Sequence, residues 1–243
     1  MRTFSGAPAS TMDPTCSDDD PAGFSDADRD VLYRLMRSRR DIRQFVSTPV
    51  PAAVLRRILE MAQFAPSVGF MQPWNFILIT SPEIRRQIKR QFEENNQREQ
   101  EKIDDQQRRQ LYGGLKLEGI LEAPLNIAVT CDRRRDAPFV LGRAPMPQTD
   151  LFSTCLAIEN LWLAARAEGV GVGWVSILDQ RATEALLGLP AGVDLVAYLC
   201  VGYPVEFAPR PMLEKVGWKQ RTALEELVFD NRWGDRSQLF SAP

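Results

Sequence analysis

Arg39-Arg40-Asp41-Ile42-Arg43, answered further along by Ala65-Pro66-Ser67-Val68-Gly69-Phe70-Met71-Gln72-Pro73-Trp74, is the part of the chain whose reading decides the rest. Three guanidiniums crowded into so short a run suit a bound phosphate. The carboxylate of Asp41 is the odd member, because a pure phosphate cradle has no use for a negative charge. Each piece also has an ordinary explanation: the arginines as a solvated basic helix end favoured by the helix dipole, Asp41 as a salt-bridge partner. The balance shifts when Ser67, Gln72 and the glycine-bearing loop between them are added. Hydroxyl, amide and backbone N–H groups beside the apolar Trp74 are what a polar heterocycle over a phosphate tail needs. Together the two stretches predict a nucleotide-like cofactor.

The bulk properties agree with small-molecule work. The 243 residues, 44% of them hydrophobic, suffice to close one core, and a formal charge of -2 gives no overall reason to expect a nucleic-acid or membrane-surface partner. There is no histidine, and the four cysteines (Cys16, Cys131, Cys155, Cys200) form no CxxC pair, so zinc sites and histidine-dependent triads are disfavoured and no metal site is expected. Acid–base chemistry falls to carboxylates, Tyr, Lys or a cofactor. The apolar runs Trp74 to Thr80 and Leu195 to Gly202 are far shorter than the roughly 20 residues of a membrane span. Residues 1–23, rich in Ala, Ser, Pro, Gly and Asp and lacking an apolar signal core, read as a disordered tail on a cytoplasmic, reduced protein.

Phe24, Ser25 and Asp28 form a staple and capping-box pattern ahead of Val31, Leu32, Leu35 and Met36 at helical spacing, and this first helix delivers Arg39 at its end. Pro51 opens a second helix that stops at Ala65-Pro66. Trp74 to Ile79 reads as a buried strand, and Ser81-Pro82-Glu83 starts a mixed-charge helix running to about Gln110. Pro124 to Cys131 is the next strand. Thr149-Asp150 caps a helix with a wide apolar stripe, predicted to be central and buried, ending at Gly169. Strands over Gly171 to Ile177 and Leu195 to Gly202 flank a short helix near Gln180 to Leu187. Beyond Tyr203, Pro204, Pro209 and Pro211 predict an extended arm. This irregular alternation favours an α+β layered sheet over a doubly wound parallel one. Gly169-Val170-Gly171-Val172-Gly173-Trp174 follows a helix and enters a strand, the reverse of a dinucleotide-binding turn, so it reads as a helix cap plus close backbone packing.

At these residues the chain resembles the nitroreductase-like flavoprotein superfamily. Its members carry an Arg-Arg/His-Ser-x-Arg/Lys-x-Phe segment after the first helix and a Ser-rich loop ending in Gln-Pro-Trp; here these are Arg39 to Phe45 and Pro66 to Trp74. Asp41 stands where ordinary nitroreductases have Ser. That Asp, with Leu115-Lys116-Leu117-Glu118-Gly119-Ile120, Gly173-Trp174-Val175-Ser176-Ile177 and Gly217-Trp218, is similar to the 5,6-dimethylbenzimidazole synthase (flavin destructase) branch, over a stretch from about Phe24 to Gly234.

The resemblance implies a nitroreductase-like fold: a central, mostly antiparallel sheet flanked by helices over residues 24–234, a lid at about 95–119, a domain-swapped C-terminal arm at about 203–234 and a tail at 235–243. It implies a homodimer with two FMN sites, each built from both chains. Arg39, Arg40 and Arg43 would hold the phosphate and pyrimidine side, Ser67 and Gly69 would lie by the isoalloxazine, Ser176 near its reactive face, and Arg210 would be a late phosphate contact. Reduced FMN would be substrate rather than retained cofactor, with dioxygen as co-substrate and a separate flavin reductase as a candidate supplier. Its fragmentation would give 5,6-dimethylbenzimidazole, the lower ligand of vitamin B12, and erythrose 4-phosphate. Such chemistry needs a closed, dry pocket, which gives the lid a purpose, and a proton shuttle. In a chain without histidine, Asp41 is the expected general base or acid and Ser176 a relay. Neighbouring arginines would lower the Asp41 pKa and burial would raise it, a balance the sequence leaves open. Two other functions stand beside this one: an NAD(P)H-dependent FMN nitroreductase or flavin reductase, and a protein that binds flavin without turnover.

Overall fold

In the strand Leu125–Asp132, Leu125, Ile127 and Val129 join one apolar cluster and Ala128 another, so this strand is covered on both faces. The computed structural model describes residues 23–238. In chain order the elements are α1 (Asp26–Ser38), α2 (Ala52–Gln63), β1 (Trp74–Ile79), α3 (Pro82–Glu101), α4 (Gln106–Gly113), β2 (Leu125–Asp132), α5 (Thr149–Ala167), β3 (Gly171–Val175), α6 (Gln180–Leu186), β4 (Val193–Gly202) and α7 (Met212–Lys215). The four strands form one antiparallel sheet in the order β1-β2-β4-β3.

Ile127 and Val129 face the cluster made with Ile58 and Ala62 of α2 and Ile158, Leu161, Trp162 and Ala165 of α5. Ala128 faces the opposite cluster, with Ile88 and Phe92 of α3 and the α6 residue Leu186. Helices on both faces of an antiparallel sheet make the layered α+β fold that the sequence predicts. Helix α5 is central, as expected, burying Ala157, Ile158, Leu161 and Ala165. It ends in a Schellman turn: Gly169, at φ 72°, donates to Arg166 O at 3.2 Å and Val170 donates to Ala165 O at 2.8 Å.

Of the described residues, 23–37 belong to a compact unit of their own, which holds most of α1. There the capping box is formed: Asp28 N–H donates to Ser25 Oγ at 3.2 Å, and Ser25 N–H returns to Asp28 Oδ2 at 3.2 Å. Among the described residues no helix is long and apolar enough to cross a membrane. The tail read over residues 1–23 lies outside the described residues except for Gly23.

Three expectations are corrected. The helix opened by Ser81 does not reach Gln110: it stops at Glu101, and Asp105 starts a new one by accepting the Arg108 N–H at 2.6 Å. An N-cap carboxylate inside the polar run outweighs continuing helical propensity. The cap of α5 is not Thr149-Asp150, for Thr149 donates its hydroxyl to Met146 O and Asp150 lies buried in an ion pair. The arm after Tyr203 is not extended throughout, since it contains α7 and a 3-10 turn over Leu224–Glu226.

Candidate active site

The arginine-rich segment runs beside the free edge of β3, where glycines let it approach. Ile42 N–H donates to Val172 O at 2.9 Å, and Asp41 forms a parallel bridge with Val172. A Cβ on Gly171 would stand 2.8 Å from Ile42 Cγ1, and one on Gly173 would overlap the Ile42 carbonyl oxygen and reach Arg43 Nη1 at 3.0 Å. The glycines that mimic a dinucleotide motif are thus there for backbone packing. Ile42 turns inward, which leaves Asp41 and Arg43 to each side of it.

Those two side chains and β3 close a ring of hydrogen bonds. Trp174 N–H donates to Asp41 Oδ1 at 2.9 Å; Arg43 Nη2 donates to Asp41 Oδ2 and to Trp174 O, the latter at 2.8 Å. Desolvation by the surrounding protein raises the Asp41 pKa above its ordinary value, against the lowering effects of Arg43, the Trp174 N–H and Arg39. The net shift is upward, although the carboxyl keeps 43% of its side-chain surface exposed and stays paired with Arg43. Arg43 Nη1 is buried without a hydrogen-bond partner. The carbonyl edge of a bound ring would satisfy it. Ser176 comes directly after the last residue of β3 and is exposed.

Arg39 and Arg40 have different tasks. The Arg39 guanidinium lies 4.7 Å above the Trp162 ring, which contacts Trp174 at 6.5 Å between centroids. Arg40 donates to Ala208 O at 2.9 Å, to Pro209 O, and to Arg39 O at 2.6 Å, so it ties down the chain just before the exposed Arg210. Burial lowers the Arg40 pKa, with Arg39, Arg221 and Arg166 lowering it and Glu214 raising it, so arginines outnumber the carboxylates around it, Glu159 being paired with Arg39 at 3.6 Å.

The Ser67 loop is rigid and lies elsewhere. Ser67 Oγ accepts the Gln72 N–H at 3.0 Å, and Val68 N–H donates to Ser153 Oγ of α5 at 3.0 Å. Gly69, at φ 54°, has room for no side chain, since a Cβ would meet Val140 Cγ1 at 2.8 Å. Arg135, which sequence reading missed, donates to Gln72 O and to Asn75 Oδ1 at 2.6 Å and so locks the loop from outside. Arg133 pairs with the buried Asp150 at 3.1 Å. The run Arg133-Arg134-Arg135 next to a strand end was the available signal. Ser153 and Trp162 stand nine residues apart on α5, about 14 Å. One chain therefore brings Arg39, Asp41, Arg43 and the approach to Ser176 together, and holds Ser67 and Gly69 at a distance from them.

The foot of the segment that follows α4 is firmly placed. Glu118, buried, accepts from Lys89 at 2.9 Å and from the Ile120 N–H at 2.7 Å; Arg85 donates to Ile120 O at 2.7 Å, Leu121 O at 3.0 Å and Ala123 O. Gly119 fits beneath Phe45, where a Cβ would approach Cε2 to 2.6 Å and Arg43 O to 3.0 Å. Gly119 thus packs on the backbone of the arginine-rich run.

Comparison with known proteins gives the class. A model of the Nitroreductase family matches residues 36–203. Among solved structures, an oxidised iodotyrosine deiodinase bound to FMN and 3-iodo-L-tyrosine shares the fold with a TM-score of 0.63 and 26% identity, covering 74% of this chain and 92% of that one. The 5,6-dimethylbenzimidazole synthase of Rhodospirillum rubrum is 44% identical over 198 residues, 82% of this chain and 93% of the relative. That of Rhodobacter capsulatus is 41% identical over 202 residues, 83% and 97% respectively. The chain belongs to the nitroreductase family of oxidoreductases, in its 5,6-dimethylbenzimidazole synthase branch.

Proposed function

We propose that the chain fragments reduced FMN with dioxygen, giving 5,6-dimethylbenzimidazole for cobalamin assembly and erythrose 4-phosphate. The observation that carries this reading is the Asp41 carboxyl, fixed by Trp174 N–H and Arg43, with its pKa raised, beside the unpartnered Arg43 Nη1. Recycling a flavin needs no titratable group there; opening its ribityl chain does.

The bound reduced flavin supplies the electrons and the carbon skeleton for the reaction with dioxygen. Arg39, with Arg210 held in place by Arg40, takes the phosphate, and Arg40 adds charge while its N–H groups stay on protein carbonyls. Arg43, with its unpartnered Nη1, would hold the pyrimidine side. Asp41 accepts or returns a proton at the ribityl chain, with Ser176 relaying it. The segment from about 95 to 119 excludes water.

Two chains complete each site in this reading. The separation of Ser67 and Gly69 from the Asp41 ring along α5 supports it, because the missing half of each site can come from a second copy. So does the outer face of α5, where Phe152 and Leu156 are 53% and 47% exposed. The C-terminal arm embraces the partner. The setting is a reducing cytoplasm, with reduced flavin delivered by a separate reductase. Reduced FMN and air supplied to the purified chain yield dimethylbenzimidazole detectable by mass spectrometry. Reoxidised FMN alone would defeat the proposal, and turnover of NAD(P)H with FMN intact would point to a nitroreductase.

A further inference from the structure

Helix α7 ends in a Schellman turn that aims one side chain. Gly217, at φ 76°, donates to Glu214 O at 3.2 Å, and Trp218 N–H donates to Leu213 O at 2.9 Å. The turn swings the half-buried Trp218 against α4. The Arg108 guanidinium lies 4.2 Å from the centre of its ring, and the Tyr112 ring stands 6.2 Å away at 54°. Arg108 and Tyr112 are four residues apart on α4 and so share a face.

Helix α4 has little else to hold it. It has eight residues and buries none, too short to be stable alone. Tyr112 donates its hydroxyl to Asn96 Oδ1 of α3 at 2.8 Å, and Gln100 Nε2 donates to Arg109 O at 3.3 Å. By contrast, the foot at Glu118 to Ala123 is held by a buried ion pair and a guanidinium on three carbonyls. The foot stays and α4 is the part that can lift.

We infer that Trp218 is the latch of the lid: a positioning residue that touches no substrate and holds α4 closed through Arg108 and Tyr112. The inference rests on the proposed function for what the lid encloses, but the latch itself is measurable without turnover. It also ties the lid to the arm, so that an arm drawn toward a partner carries the closing contact with it.

The test compares wild type, Trp218→Ala and Trp218→Phe, with Arg108→Ala attacking the same contact from the lid side. Amide hydrogen exchange of residues 103–117 reads the latch directly. Reduced FMN in air-saturated buffer then gives the ratio of dimethylbenzimidazole to hydrogen peroxide per flavin consumed. In Trp218→Ala and Arg108→Ala, exchange rises about tenfold and the ratio falls about tenfold, while flavin is consumed no more slowly. Trp218→Phe, which keeps the aromatic face, recovers most of both. Unchanged exchange overturns the latch, as does raised exchange with an unchanged ratio. A wild-type chain making no dimethylbenzimidazole refutes the proposed reaction instead, and the exchange measurement still decides the latch.

Discussion

Trp174 donates its backbone N–H to Asp41 Oδ1 at 2.9 Å, so the carboxyl is anchored on the same strand that leads to Ser176. Asp41→Asn keeps the size and most of the hydrogen bonding and removes the base. FMN binding should persist while dimethylbenzimidazole formation falls by a factor of about 100 to 10,000. Asp41→Ser should return reduced flavin to FMN and peroxide. A near wild-type rate in Asp41→Asn would send the proton shuttle to Ser176 or a bound water.

Desolvation holds the Asp41 carboxyl protonated to higher pH than an ordinary side chain. Acting as a base it must be ionised, so product formation should rise with pH through a midpoint above the usual carboxylate value of about 4, and lose that limb in Asp41→Asn. The measurement is the pH profile of dimethylbenzimidazole formation under saturating reduced FMN. A wild-type midpoint at or below about 4 contradicts the assignment.

Gly173→Ala puts a methyl into the Ile42 carbonyl oxygen and against Arg43 Nη1. Overpacking of this kind costs about 1–3 kcal/mol or more, a drop of several degrees in melting temperature. Thermal unfolding and flavin retention should both fall. A variant that melts and binds FMN like wild type would show that the arginine-rich segment can move away from β3.

Glu118→Ala leaves Lys89 with Glu93 at 3.4 Å and takes the acceptor from the Ile120 N–H, and should cost about 1–3 kcal/mol in urea unfolding. Desolvation raises the Glu118 pKa, but Lys89, the Ile120 N–H and Lys116 outweigh it and leave the carboxyl below its ordinary value. Its contribution is therefore present above the unfolded pKa and lost as pH falls through the folded one. Wild type should lose part of its stability below pH of about 4.3, and the difference between wild type and variant should shrink there.

Phe152 and Leu156 lie one turn apart on the outer face of α5. Phe152→Asp should give a monomer in sedimentation and lose FMN, because the Ser67 loop and the Asp41 ring would no longer meet across two chains. A monomer that binds FMN with unchanged affinity would mean that one chain suffices.

Much of this was legible in the amino-acid order because it rests on local rules. The capping box at Ser25, the strands over β1 and β2, and the glycine cap at Gly169 depend on residues close in sequence, and the α+β layering follows from their order. What escaped depends on partners far away. Arg40 looks like Arg39 until the carbonyls of Ala208 and Pro209 take its donors. The close packing of Val140 on Gly69 likewise comes from far along the chain. The end of α3 was missed because Asp105 competes as a cap inside a run that otherwise favours helix.

An unbroken helix from Pro82 to Gln110 would have been a rod about 43 Å long. The break after Glu101 bends it into a hairpin instead, and none of residues 102–117 on the return leg is buried. Length can therefore change there without disturbing the sheet or its two apolar faces. The stretch is an editable roof on a fixed house: if it covers the site as proposed, lengthening or shortening it would resize the space beneath, and enzymes built on this fold could diverge in the bulk of what they admit while inheriting the same foundations.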